Sequence, residues 1–137
     1  MPDQTDLQII KLLEKNSRLQ WKEIGEIVHM TGQAVSARVQ RLQDLGLIEG
    51  FTLKLNHERF GRSITGLITV FMKTTDHSSF HQFLRNSEIV FEAHRSSGDG
   101  CYWIKINASS QEEVKAFLDQ LLKYANYRIS LSIDKIK

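Results

Sequence analysis

The chain has 137 residues, 41% of them hydrophobic and 25% charged, with a formal net charge of +2. That size and balance fit one ordinary globular domain or two very small ones and exclude a disordered chain. One cysteine excludes an internal disulfide and a multi-cysteine zinc site, and no apolar run approaches the ~18 residues of a membrane span.

The opening Met1-Pro2-Asp3-Gln4 lacks the basic and apolar regions of a signal peptide, so the expected compartment is the cytoplasm. Charge is spread evenly. Residues 1–50 hold six Lys/Arg against seven Asp/Glu, residues 51–62 three against one, and residues 63–137 nine against eight. Any nucleic-acid surface must therefore be local, because no basic tail or domain-wide excess exists.

Three short helices are predicted first. Asp3 is suited to cap the first, with Asp6 near the positive end of its dipole. Leu7, Ile10 and Leu13 recur at helical spacing, and Ile9 and Leu12 widen the stripe. Asn16-Ser17-Arg18 breaks the pattern. A second helix starts near Gln20, a weak cap, with Trp21, Ile24, Ile27 and Val28 on one face. After His29-Met30, Thr31 caps a third helix whose buried face is Val35, Val39 and Leu42, and Gly46 stands where a helix-ending glycine belongs. The hydrophobic period then changes to two. Phe51, Leu53 and Leu55 alternate with Thr52, Lys54 and Asn56, which predicts a strand leaving the helical part, followed by the turn-rich segment 56–62.

Residues 64–137 read as strand, helix, strand, strand, helix, strand. The strands are Ile64–Met72, Ile89–Arg95, Tyr102–Asn107 and a last one through Tyr127, Ile129, Leu131 and Ile133. The helices are His77–Asn86 and Ser110–Tyr124, the latter with a Ser110/Glu113 capping box. The order βαββαβ is the ferredoxin-like arrangement. With both helices on one face, the sheet leaves the other bare, carrying either Leu67 and Phe71 or Ile68, Val70 and Met72 according to register. A bare apolar face of that kind is expected to meet a second copy in a twofold dimer.

Two helices, a short turn and a third helix describe a helix-turn-helix. On a wheel of about 100° per residue, Gln33, Ala37 and Gln40 oppose the buried face of the third helix, Ser36 and Arg41 lie toward the sides, and Arg38 sits at the boundary. From Thr31 to Gln43 no side chain is acidic. Groove entry asks for such a surface: nothing repels phosphate, small residues allow approach, and Arg and Gln can pair with base edges. The candidate DNA-binding residues are Thr31, Gln33, Ser36, Ala37, Arg38, Gln40 and Arg41. The competing interpretation is an ordinary three-helix bundle with a polar outer face.

The stretch DQTDLQIIKLLEKNSRLQWKEIGEIVHMTGQAVSARVQRLQDLGLIEG, the segment to Gly61 and the βαββαβ order together resemble the Lrp/AsnC family of transcription regulators, over essentially the whole chain. The resemblance implies an α+β protein. Residues 1–50 would form a winged-helix-like DNA-binding domain, 51–62 a linker strand and turn, and 63–137 a ferredoxin-like (ACT-like, RAM) effector and assembly domain. It also implies dimers through the C-terminal sheets, octamers in many members, and amino-acid effectors. In the family, the turn between the second and third strands of that domain carries a G-(D/E)-x-D-Y-like pattern and lines the effector pocket. Here it is Gly98, Asp99, Gly100, Cys101 and Tyr102, with a thiol in place of the second carboxylate. A thiol cannot pair with an ammonium group as a carboxylate does, which leaves Asp99 as the nearest candidate.

Other chemistry is weakly signed. A catalytic Cys101 would need a base and an oxyanion hole; His94 stands on the preceding strand, but no nucleophile motif accompanies it, so no enzyme is expected. His77 and His81 have a metal-ligand spacing without a third ligand, and read as a solvated helix face. No metal or cofactor is expected. The expected function is DNA-binding transcription regulation, and the alternative is a small-molecule-binding assembly protein that binds no DNA.

Overall fold

The computed structural model describes residues 1–137, which divide into two compact units, Met1–Lys54 and Leu55–Lys137. The boundary falls inside the expected linker.

The first unit holds α1 (Gln4–Lys15), α2 (Trp21–Val28) and α3 (Gly32–Asp44). Asp3 caps α1 through the Asp6 N–H at 2.8 Å, and the Asp6 carboxylate returns to the Asp3 N–H at 3.0 Å. The Gln20 side chain makes no cap bond to α2, but the Glu23 carboxylate accepts from the Gln20 N–H at 3.1 Å and satisfies that donor instead. Thr31 caps α3 through Ala34 N–H at 3.1 Å. At its other end, Gly46 N–H donates to Gln43 and Leu47 N–H to Leu42, the bond pair of a Schellman ending. Ile9, Leu13, Ile24, Val35 and Val39 form the buried core, each worth ~1.5–3 kcal/mol against exposure. The α1 stripe is rotated from the expected phase. Leu7 is 45% exposed, while Asp6 and Ile9 are wholly buried. Ile27, expected inward on α2, is 48% exposed.

No strand follows α3. Residues 49–56 have no regular structure, and His57–Phe60 is a short 3-10 turn. Residues 51–55 thus form no strand within the single chain, and Phe51, Leu53 and Leu55 are exposed. Alternation favours an extended backbone, but a strand also needs a neighbour to take its hydrogen bonds, and segment 51–55 has none.

The second unit runs β1 (Ile64–Met72), α4 (His77–Asn86), β2 (Val90–Arg95), β3 (Tyr102–Ala108), α5 (Gln111–Leu121) and β4 (Ala125–Leu131). The sheet order is β2-β3-β1-β4, and every pairing is antiparallel. The register sets Ile68 opposite Ile104 and Ile129, and Val70 opposite Tyr102 and Tyr127. Because side chains alternate, this row of Ile68 and Val70 turns toward the helices. There it meets Phe80 and Leu84 of α4 and Val114, Phe117 and Leu121 of α5. Leu67 and Phe71 belong to the opposite face, so the first of the two expected registers is realised. The α5 cap differs in detail: Ser110 Oγ accepts from Glu113 N–H at 3.1 Å, but the Glu113 carboxylate reaches past Ser110 to Ser109. Ile133 lies beyond β4 and is fully exposed. No helix is long and apolar enough to cross a membrane.

Candidate functional site

The turn between α2 and α3 is tight, and two residues make it so. His29 adopts φ 59°, ending α2 in the left-handed region. The Met30 N–H then donates to the Gly25 carbonyl at 2.9 Å. A Cβ on Gly25 would stand 2.3 Å from the Met30 carbonyl oxygen, so only glycine lets the turn close on α2. The sequence alone showed no role for Gly25; the signal available was a glycine inside a helix that it weakens.

On α3, Gln33, Ala37 and Gln40 are exposed, Ser36 is half-buried, and Thr31 is exposed at the amino end. Gln40 reaches along the helix to Asp44, Nε2 to Oδ1 3.0 Å. The arginines are engaged within the unit. Arg38 Nη1 lies 2.6 Å from Asp3 Oδ2 and 2.9 Å from Asp6 Oδ1. Arg41 Nη1 lies 3.2 Å from Asp6 Oδ2, and its Nη2 donates to the Met1 carbonyl at 3.2 Å. Hydrogen bonds from Arg38 and then from the Asp6 N–H hold the Asp3 carboxyl below its ordinary pKa. Burial works to raise Asp6, but the Asp3 N–H and Arg38 outweigh it and the carboxyl is lowered. Asp3 and Asp6 in turn raise the Arg38 guanidinium.

In the second unit, the five residues of the candidate effector loop do not share one surface. Gly98 and Gly100 have φ 100° and 74°, and Asp99 projects into solvent with Arg128 Nη2 3.8 Å away. The Cys101 N–H donates to the Val70 carbonyl at 2.7 Å, pinning the loop to β1. A Cβ on Gly100 would be 2.7 Å from that same carbonyl, which explains the glycine. Cys101 is half-buried against the core. Tyr102 is buried on the helix side, with burial the main cause of its raised pKa.

The Tyr102 hydroxyl sits between two imidazoles, 2.6 Å from His77 Nδ1 and 2.7 Å from His81 Nε2. The histidines expected on a solvated face are thus half-buried and occupied. A hydroxyl has one proton, so it donates to one ring and accepts an N–H from the other. Spacing on α4 could show that the two rings share a face, but not that β3 brings a phenol to them. His94 is likewise committed away from Cys101. It stacks on Trp103 with centroids 4.2 Å apart and meets Glu92 Oε1 at 3.0 Å. Trp103, Leu67, Phe71 and Phe91 occupy the sheet face away from the helices, with Lys105 over Phe91 and Arg128 over Phe71.

Comparison with known proteins matches both units. Residues 3–43 match the AsnC-type helix-turn-helix domain, and residues 65–137 match the Lrp/AsnC ligand binding domain. The HTH-type transcriptional regulator LrpB of Bacillus subtilis (strain 168) is 43% identical over 98% of this chain and 91% of its own length. LrpA of the same organism is 36% identical over 98% of this chain and 100% of its own. Among solved structures, B. subtilis LrpC superposes with a TM-score of 0.93 at 29% identity, covering 100% of this chain and 98% of that one. A complex of the transcriptional regulator NMB0573 with L-Met, from Neisseria meningitidis, has the same fold. Its TM-score is 0.93 at 23% identity, over 100% of this chain and 93% of that one.

Proposed function

The chain belongs to the Lrp/AsnC family of helix-turn-helix transcriptional regulators and is not an enzyme, and on that footing we propose that it works in the cytoplasm, binds double-stranded DNA through α3 as a homodimer or a larger assembly, and responds to an amino acid. The observation that carries the DNA contact is the outer face of α3. It presents Gln33, Ala37 and Gln40 to solvent, Thr31 and Ser36 toward its amino end, and Arg38 and Arg41 along its flank. From Thr31 to Gln43 the helix carries no carboxylate of its own, and the nearest ones, Asp3, Asp6 and Asp44, are bonded to Arg38, Arg41 and Gln40, so its outer face can approach a groove with little repulsion of phosphate.

Assembly is argued from the bare sheet face. Leu67 is 52% exposed, Phe91 48% and Trp103 39%, on neighbouring strands. A twofold pairing of two such faces removes them from water, with Arg128 of the outer strand β4 at the polar margin and the Lys105 ammonium over Phe91 within the face. The effector reading is supported by the ligand-binding match and by the L-Met complex of a protein with the same fold. Asp99 is the carboxylate that would meet the ammonium group, because Cys101 cannot.

Fluorescence anisotropy on DNA from just upstream of its own gene, against a scrambled duplex at two salt concentrations, tests the proposal. The expected result is tighter binding to the first duplex and a steep loss of affinity with salt for both. Equal indifference to both duplexes, with amino acids still shifting the size of the protein in solution, would leave an assembly protein that binds no DNA.

A further inference from the structure

The helix proposed to read DNA has only two cations, and both are tied to the start of α1. Asp6 is the anchor. Its side chain is wholly inaccessible to solvent, and its two oxygens accept from the Asp3 N–H, Arg38 and Arg41 at 3.0, 2.9 and 3.2 Å. The two arginines are not held alike. Arg38 has one nitrogen between two carboxylates, at 2.6 and 2.9 Å, and its side chain is 28% exposed. Arg41 touches Asp6 at 3.2 Å with one nitrogen, the Met1 carbonyl with the other, and is 49% exposed. A guanidinium shared by two carboxylates is neutralised and fixed in plane. To meet a phosphate, Arg38 would have to strip a buried carboxylate of its closest guanidinium, which is strongly unfavourable. Arg41 can swing toward DNA while Arg38 keeps Asp6 paired.

We infer that Asp6 is a positioning residue for DNA recognition: it holds Arg38 as a brace between α1 and α3 and aims Arg41, the cation of α3 left to meet phosphate. This rests on the reading of α3 as the DNA-contacting helix. It gives different roles to two arginines that helical spacing placed only at different angles on α3. It also explains why a carboxylate is buried beside a surface that should attract a polyanion.

Charge and bracing predict opposite signs for one variant. Asp6→Asn makes the protein more positive, so a purely electrostatic account has it bind DNA more tightly. The brace requires weaker binding, by about tenfold, the loss expected of one well-placed contact. Arg38→Lys keeps the charge but cannot span both carboxylates, and is expected to lose a similar factor with an unchanged salt dependence. Arg41→Gln should instead flatten the slope of log affinity against log salt by about one, the mark of a lost phosphate contact. All are measured by anisotropy on the full-length chain, with circular dichroism confirming folded helices. Should Asp6→Asn fail to fold, Arg38→Lys carries the same distinction. Tighter binding by Asp6→Asn, wild-type affinity in Arg38→Lys, or a slope change in Arg38→Gln equal to that of Arg41→Gln would each overturn the inference alone. Wild-type protein that binds neither duplex, or a Gln33→Ala/Gln40→Ala variant that binds as wild type, would overturn the α3 reading and this inference with it.

Discussion

At Gly25 a single methyl group decides whether the helix-turn-helix can form, because the space a Cβ would need is held by the Met30 carbonyl. Gly25→Ala is expected to destabilise the helical unit by ~1–3 kcal/mol through overpacking, read as a lower thermal midpoint. A variant as stable as wild type would mean the turn can relax away from α2. His29 makes the converse case. Its φ of 59° strains a non-glycine residue, so His29→Gly should raise the urea midpoint, with stability up by ~1 kcal/mol and the slope unchanged. Tyr102→Phe should cost ~1–3 kcal/mol, because it leaves two half-buried imidazole nitrogens without their shared partner. A cost near zero would mean water replaces the hydroxyl. None of these three roles was legible in the chain. Gly25 sits in a helical pattern that does not ask for glycine, and the partners of Tyr102 are more than twenty positions away.

At the scale of elements, helices and strands follow from periodicity and caps, while the phase of an amphipathic face does not. In α1 the leucines and isoleucines span a broad stripe, and several rotations bury a similar apolar area. Asp6 settles the choice, because its carboxylate must face Arg38 and Arg41, and that turns Leu7 outward. The same clamp gives α1 and α3 a pH dependence whose sign is fixed. Asp3 and Asp6 both have folded pKa values below the ordinary carboxylate range. Their contribution is fully present above about pH 3.9 and is lost as the pH falls through the lower folded values. In a Trp103→Phe variant, where Trp21 is the remaining tryptophan, fluorescence should hold from neutral pH down to about 4 and change below it. Asp6→Asn should alter that acid transition; an identical transition in both would remove the clamp from the account of stability.

For the molecule as a whole, the consequential feature is the sheet face that α4 and α5 leave uncovered. Leu67 lies at its centre, opposite Lys105 in the β1–β3 register. Leu67→Arg would set a second cation beside that lysine, leaving Glu92, opposite Lys105 on β2, as the one carboxylate in the row for both. Light scattering should then show the dimer dissociation constant raised about a hundredfold, the loss of a central apolar anchor. An unchanged mass would place the contact between copies elsewhere on the chain. Phe51, Leu53 and Leu55 belong to the same scale. Their alternation is that of a strand, yet the segment finds no ladder partner in its own chain.

Local spacing carries the two-part organisation, the starts of the helices, the βαββαβ order and an outer face of α3 without acidic side chains from Thr31 to Gln43. All of these depend on local spacing, caps and the change of period from 3.6 to 2, which neighbouring residues set among themselves. Tertiary structure decided the register that puts Leu67 and Phe71 outward, the missing strand at 51–55, the phenol between His77 and His81, and the grip of Asp3 and Asp6 on the arginines of α3. Each of these joins residues far apart in the chain, or needs a partner the local pattern cannot supply. The spacing of a carboxylate near the amino terminus says nothing about which guanidinium, more than thirty residues on, it will meet once the apolar faces of α1 and α3 are packed together.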